Sequence, residues 1–378
     1  MHEFDPVNAS QSLLVPSKAQ IYEDSRGVGT FREDENEGGR KVCGMKFSTF
    51  LWLSIFCATG VGLGLCYEFL EIHSNNHSPG ASAQSFFLCL LGYFSQAVFG
   101  GIFAFCQKDP LKGSWTKPIL VTLFLSSICD GLAQALDLVG QVEGGYMLFT
   151  IFHSSVTLFS CLLAVVIVGA KVSKMQWGGV LLVIAGLFVT AVPSPFQVPG
   201  NFLVGVSCSL LGSFFLAASY PFSEKVFRLG ALTPRGPPKA ETACFFGALI
   251  NTLIYVVYTC VYTVPRWDEE VTSYWKEGDT NYVIAGFVMY GFLVGLHSLS
   301  FWKSVNVIGT VPTAVAKGAQ QAGVFVFSHI VYCNIDKHEC MFGTSPKDTL
   351  WHKIQKSCAA LFCVAGVVIY SLGRKNKQ

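Results

Sequence analysis

Apolar residues in this chain come in long blocks, not in alternation. Ten stretches approach the roughly 20 residues an α-helix needs to cross a bilayer. They are 48–70, 84–106, 118–139, 144–169, 175–192, 201–222, 241–264, 281–302, 308–333 and 354–372. Each predicts a transmembrane helix. Pro118 opens the third at a first-turn position, where its missing N–H is harmless. PSPFQVPG (193–200) and RGPP (235–238) mark loops. Residues 1–46 break the pattern, with eight acidic and six basic residues and few aromatics. That composition predicts a disordered, solvent-facing tail.

Composition agrees with the blocks. Hydrophobic residues make up 51% of the 378, and charged residues only 13%, against about 25% in soluble domains. Mean hydropathy is +0.47. The fold class expected is all-α, a polytopic membrane protein of ten helices. The net charge of +2 gives no footprint for nucleic acid. The first apolar run begins too late for a cleaved signal peptide.

Lysine and arginine set the expected orientation. One side collects sixteen, among them Lys108, Lys112, Lys117, Lys171, Lys174, Lys239 and Lys303, and the other only six. Both termini are then expected in the cytoplasm. On the outer side, Asn76-His77-Ser78 is a glycosylation acceptor sequence. Cys333 and Cys340 flank a polar loop and could form a disulfide if that loop faces an oxidising lumen. The other cysteines are scattered singly in apolar runs, as small core hydrophobes are.

The two halves rhyme. VIAGLFV (183–189) matches CVAGVVI (363–369), and YMLFTIFHSSVTLFS falls opposite VPTAVAKGAQQAGVF. Phe152 then sits opposite Lys317, and Ser155 opposite Gln320. Five spans per half require the second copy to lie inverted, an organisation of many secondary transporters. The domains expected are a tail (1–46), a first repeat (47–192), a second repeat (193–372) and a cytoplasmic C-terminal tail (373–378).

Ionisable groups inside spans are rare and point to function. In the third span Asp130, Gln134 and Asp137 share one helical face. Tyr146, Thr150, His153 and Thr157 share another in the fourth. Lys317, Gln320 and Gln321 lie together in the ninth, His297 is in the eighth, and Asn251 with Tyr255 in the seventh. Blander readings stand beside these. Asp137 and Glu68 lie near span ends and could reach the interface. Gln134 and the serines could be interhelical glue. The two histidines could be packing residues, and Lys317 the structural partner of Asp130. HSNNH spaces His73 and His77 for a metal but offers no third ligand, so no metal is expected. GxSxG, HExxH, Walker and paired CxxC motifs are absent, so no catalytic residue and no enzyme activity is expected.

Three stretches resemble the drug/metabolite transporter superfamily, in its eukaryotic solute carrier 35, nucleotide-sugar-transporter-like branch. They are GAKVSKMQWGGVLLVIAGLFV (169–189), CDGLAQALDLVG (129–140) and AKGAQQAGVF (316–325). The resemblance implies ten helices in two inverted repeats, alternating access, and a cavity lined by spans 1, 3, 4, 6, 8 and 9. It places Lys317 and Gly318 at the substrate. Substrate contacts are expected from Lys317, Gln320, Gln321, Asp130, Gln134, His153, Thr150, Tyr146 and His297, and ion coupling from Asp130 and Asp137.

The expected function is secondary-active transport of a small polar organic solute, such as a nucleotide sugar. A proton-coupled carrier of organic cations, amino acids or vitamins is the alternative. A non-transporting scaffold or receptor is the reading from another class. No cofactor is expected. The partners are the solute, the bilayer and at most a second copy of the chain, as a homodimer. An endomembrane location, Golgi, ER or vacuolar, is expected over the plasma membrane.

Overall fold

The computed structural model describes residues 41–42, 45–74, 79–144, 149, 152–153, 155–191, 201–276, 278–332 and scattered positions from 358 to 373. Lys41–Val42 (β1) pairs antiparallel with Met45–Lys46 (β2), Lys41 opposite Lys46. All else of length is helical. The helices are α1 (Phe47–His73), α2 (Phe87–Phe105), α3 (Lys117–Gly144), α4 (Val156–Val168) and α5 (Lys174–Ala191), then α6 (Phe202–Ala231), α7 (Ala240–Tyr258), α8 (Thr280–Ile308) and α9 (Thr310–Tyr332). Helical positions recur between 358 and 373.

Among the described residues, six helices are long and apolar enough to cross a membrane: Phe47–His73, Phe87–Phe105, Lys117–Gly144, Leu203–Ala231, Ala240–Arg266 and Thr280–Ile308. Their outward faces are apolar as well. Leu203 is 71% exposed and Val288 70%, and in the shorter α4 Val166 is 80% exposed. So much unpaired apolar surface suits lipid and not water. Apart from the short β1–β2 pair, the described residues form a helical, membrane-embedded chain.

Several helices overrun the spans their apolar runs predict. α3 continues five residues beyond 139, because Gly140 and Gly144 let α6 lie against its backbone. A side chain at Gly205 would meet Gly144 Cα at 2.5 Å. α6 runs on past Pro221 to Ala231. Proline removes one intrahelical N–H bond, but Val226 and Phe227 beyond it are fully buried, and that packing carries the helix forward. α8 likewise continues through Lys303. α7 ends differently, in π-helical and 3₁₀ turns (Thr259–Thr263, Val264–Arg266) followed by Asp268–Thr272 and a single helical turn at Ser273–Lys276. This segment clamps the 79–86 loop: Thr263 Oγ1 donates to Ser85 O (2.8 Å), Trp275 Nε1 to Gly80 O (2.7 Å), and Ser82 bonds Glu270.

The packing pairs are specific. α3 lies along α6 and α8 along α1; α4 packs on α6 and α9 on α1; α2 faces α7 and α4 faces α9. At the end of the bundle where α1 begins, two charged clusters tie helix termini. Glu224 pairs with Arg228, one turn on, and its Oε2 accepts the Thr310 N–H at the start of α9 (2.7 Å). Arg228 Nη1 donates to the Val168 carbonyl at the end of α4 (2.7 Å). Glu241 at the start of α7 pairs with Lys303 of α8 and accepts from Gln107 Nε2 (2.6 Å). Carboxylates at helix N-termini and a guanidinium at a C-terminus are the favourable placements for the helix dipole.

Candidate functional site

A cavity of about 160 Å³ lies in the middle of the bundle. Lys317, Gln321, Asp130, Gln134, Asp137, His153 and His297 all line it. Side chains read from four separate spans therefore converge on one space. Helical phase explains the convergence. On α3, Asp130, Gln134, Asp137 and Gln141 recur every three or four residues, so one face is polar. On α9, Lys317, Gln321 and Val324 do the same.

The charges are arranged unevenly. Tyr93 of α2 donates its hydroxyl to Asp130 Oδ2 at 2.8 Å. His153 Nδ1 lies 3.2 Å from Asp137 Oδ2, within ion-pair range but off the direction of a hydrogen bond. Lys317 has neither kind of partner among the described residues. Among the described residues no carboxylate oxygen lies within 4.0 Å of its Nζ, although both aspartates are close enough to act on it electrostatically. Direct pairing of Lys317 with Asp130, one of the sequence-based alternatives, is not how these side chains sit.

Other expectations are redistributed. Asp137 does not reach an interface. The longer α3 keeps it inside, 6% exposed, against Gly212 of α6. Glu68 is also buried, and Ser328 Oγ donates to its Oε2 at 2.6 Å. Gln320 turns away from the cavity. Its Nε2 donates to the Phe56 carbonyl at 2.9 Å, and its amide fills the space left open by Gly60 of α1. It joins α9 to α1. Gly318 allows α9 to cross α4 closely, where Thr157 Oγ1 donates to Ala314 O (3.2 Å). His297 stacks on Phe56 (4.6 Å between centroids), and its Nδ1 lies 3.1 Å from Thr59 Oγ1. Asn251 and Tyr255 bind α3 carbonyls, at Ser127 (2.9 Å) and Gly131 (2.7 Å). Tyr146, Thr150, Asn76, Cys333 and Cys340 lie outside the described residues.

The lining extends beyond the helices the family resemblance implies. α2 contributes Tyr93 and Gln96, and α7 contributes Asn251. Tyr67, Tyr220 and Tyr290 add hydroxyls, those of Tyr67 and Tyr290 lying 3.2 Å apart. In a hydropathy reading these tyrosines are indistinguishable from lipid-facing aromatics. The usable signal is local to α1, where Gly64 lies one turn before Tyr67 and both line the cavity.

No family model matches the sequence. An uncharacterized protein of Schizosaccharomyces pombe is 23% identical over 175 residues, which cover 45% of this chain and 54% of that protein. The match thus spans about half the length of that relative. A crystal structure of another protein superposes with a TM-score of 0.61 over 88% of this chain and 99% of its own, at 13% identity. At that identity the likeness is one of fold.

Proposed function

We propose that this chain is a secondary-active transporter that carries a small polar organic solute across a membrane by alternating access. The observation that carries the reading is the polar cavity itself. An apolar bundle encloses a space into which Lys317 and Asp130 both project without touching. A scaffold or receptor core would pair such groups off and close the space, since isolated charge is costly there.

The proposed architecture is ten helices in two inverted repeats, as in the drug/metabolite transporters. The packing supports it. Exchanging each helix with the one five places on turns α3–α6 into α8–α1, and α4–α6 into α9–α1, while α2–α7 and α4–α9 map onto themselves. The segments that correspond in sequence, around Phe152 and Lys317, flank the same cavity. Rocking one repeat against the other would open it to each side in turn. The Glu224–Arg228 and Glu241–Lys303 clusters then lie on the cytoplasmic side with both termini, in an endomembrane. The volume favours a metabolite well below drug size, for which pockets run to ~300 Å³ or more. That supports an amino-acid-sized solute over a nucleotide sugar in this conformation.

The test is counterflow in proteoliposomes. Labelled solute should accumulate against preloaded solute, and Lys317→Ala should abolish the accumulation while the variant reconstitutes normally. Transport that survives Lys317→Ala unchanged removes the cavity from the mechanism.

A further inference from the structure

The cavity keeps opposite charges apart. Lys317 enters from α9, with Gln321 one turn further on. Asp130 enters from α3; Tyr93 occupies its Oδ2, and no hydrogen-bond donor among the described residues takes Oδ1. Asp137, the second acid, has His153 Nδ1 at 3.2 Å, a contact that is ionic when the imidazole is protonated. Among the described residues, Lys317 and Asp130 are left without an ionic partner in a cavity of about 160 Å³. A bound anion would satisfy Lys317 and leave Asp130 facing it unpaired. A bound cation would do the reverse. Only a ligand carrying both signs satisfies both in one binding event. We propose, on the basis of the transporter reading, that the cavity binds a small zwitterion of the amino-acid class, its carboxylate at Lys317 and Gln321 and its ammonium at Asp130. The Lys317 ammonium and Gln321 amide are donors suited to a carboxylate, and a carboxylate oxygen is the acceptor an ammonium needs.

Ligand halves test this on the unmodified protein. The purified full chain in detergent is melted with L-serine, with ethanolamine, with 3-hydroxypropanoate and with uridine monophosphate. Ethanolamine and 3-hydroxypropanoate each keep the hydroxyl and one charge of serine. L-serine should raise the Tm by mass action, and each half should bind roughly 10- to 100-fold more weakly, for loss of one charge-assisted contact. In Lys317→Met, serine and ethanolamine should become equivalent, and the surviving ethanolamine response shows that the variant is folded. Equal responses to serine and ethanolamine in the unmodified protein would overturn the proposal. So would stabilisation by uridine monophosphate alone, or no response to serine at millimolar concentration. Because binding is read without flux, a serine-stabilised protein that shows no counterflow of labelled serine removes the transport reading and leaves the zwitterion site standing.

Discussion

The cavity and the charged end of the bundle use the same residue types in opposite ways. Glu224, Arg228, Glu241 and Lys303 are closely paired, and three of the four also engage a helix terminus or a neighbouring amide. Lys317 and Asp130, deeper in the bundle, stand apart. At the helix ends each charge offsets an orphan backbone group or another charge, and so the arrangement holds helices together. In the cavity the charges are held at a distance: Asp130 ties α3 to Tyr93 of α2, while Lys317 ties its helix to no other through an ion pair among the described residues. The difference separates residues that build the bundle from residues the bundle exists to present.

Breaking the paired end should have the largest effect on stability. Glu224→Ala strips Arg228 of its partner and leaves the Thr310 N–H unmatched at the start of α9. With Arg228 28% exposed, the main loss is the charge-assisted bond to the buried Thr310 N–H, worth about 1.5–3 kcal/mol, plus about 1–3 kcal/mol for leaving that donor unsatisfied. The variant should show a much lower Tm in detergent and a depleted monodisperse peak on size exclusion. A melt within experimental error of the parent would mean that the cluster is surface decoration, and the contrast drawn above would fail.

A smaller effect should come from the helix contact that frames the cavity without being charged. Gly205→Ala places a methyl group against the Gly144 backbone, which cannot swing aside as a side chain could. Overpacking of this kind costs about 1–3 kcal/mol. Because Asp137 projects from α3 about two turns before Gly144, prying α6 from α3 should also weaken solute binding. A Gly205→Ala protein with lower Tm but unaltered binding would show that the α3–α6 contact supports the fold without shaping the site.

How far this arrangement can be read from sequence depends on what encodes each part. Spans are legible because a bilayer demands apolar length, and the starts of α1, α3, α5, α7 and α8 fall within one residue of the apolar blocks. Ends are less legible. Residues 140–144 and 223–231 look like loops by polarity, yet they are helical because glycines there permit close packing and because Glu224 and Arg228 pair at i, i+4. Convergence of Asp130, Gln134, Asp137, His153, His297 and Lys317 is legible as periodicity. The fate of Gln320 is not. Gln320 and Gln321 are neighbours of the same type, and a helix turns about 100° between them. Only the position of α1, with Gly60 open to an amide, decides that one joins helices while the other lines the cavity. Tertiary placement of a partner helix is absent from any local pattern.

The smallest stability effect is expected at the residue with the largest functional one. Lys317→Met keeps the length and apolar stem of the side chain and removes only the ammonium. No ion pair among the described residues is lost with it. An ammonium without a contact partner inside the bundle is a burden on the folded state, offset in part by the two nearby aspartates, so the Tm should stay within about 1 kcal/mol of the parent. Stability traded for function in this way is common where a site must stay unsatisfied until its ligand arrives. The comparison is sharpest with Glu224→Ala in the same melt. If Lys317→Met destabilises the protein as Glu224→Ala does, then Lys317 is already serving the fold. The distinction between paired charges that build and separated charges that bind would then collapse.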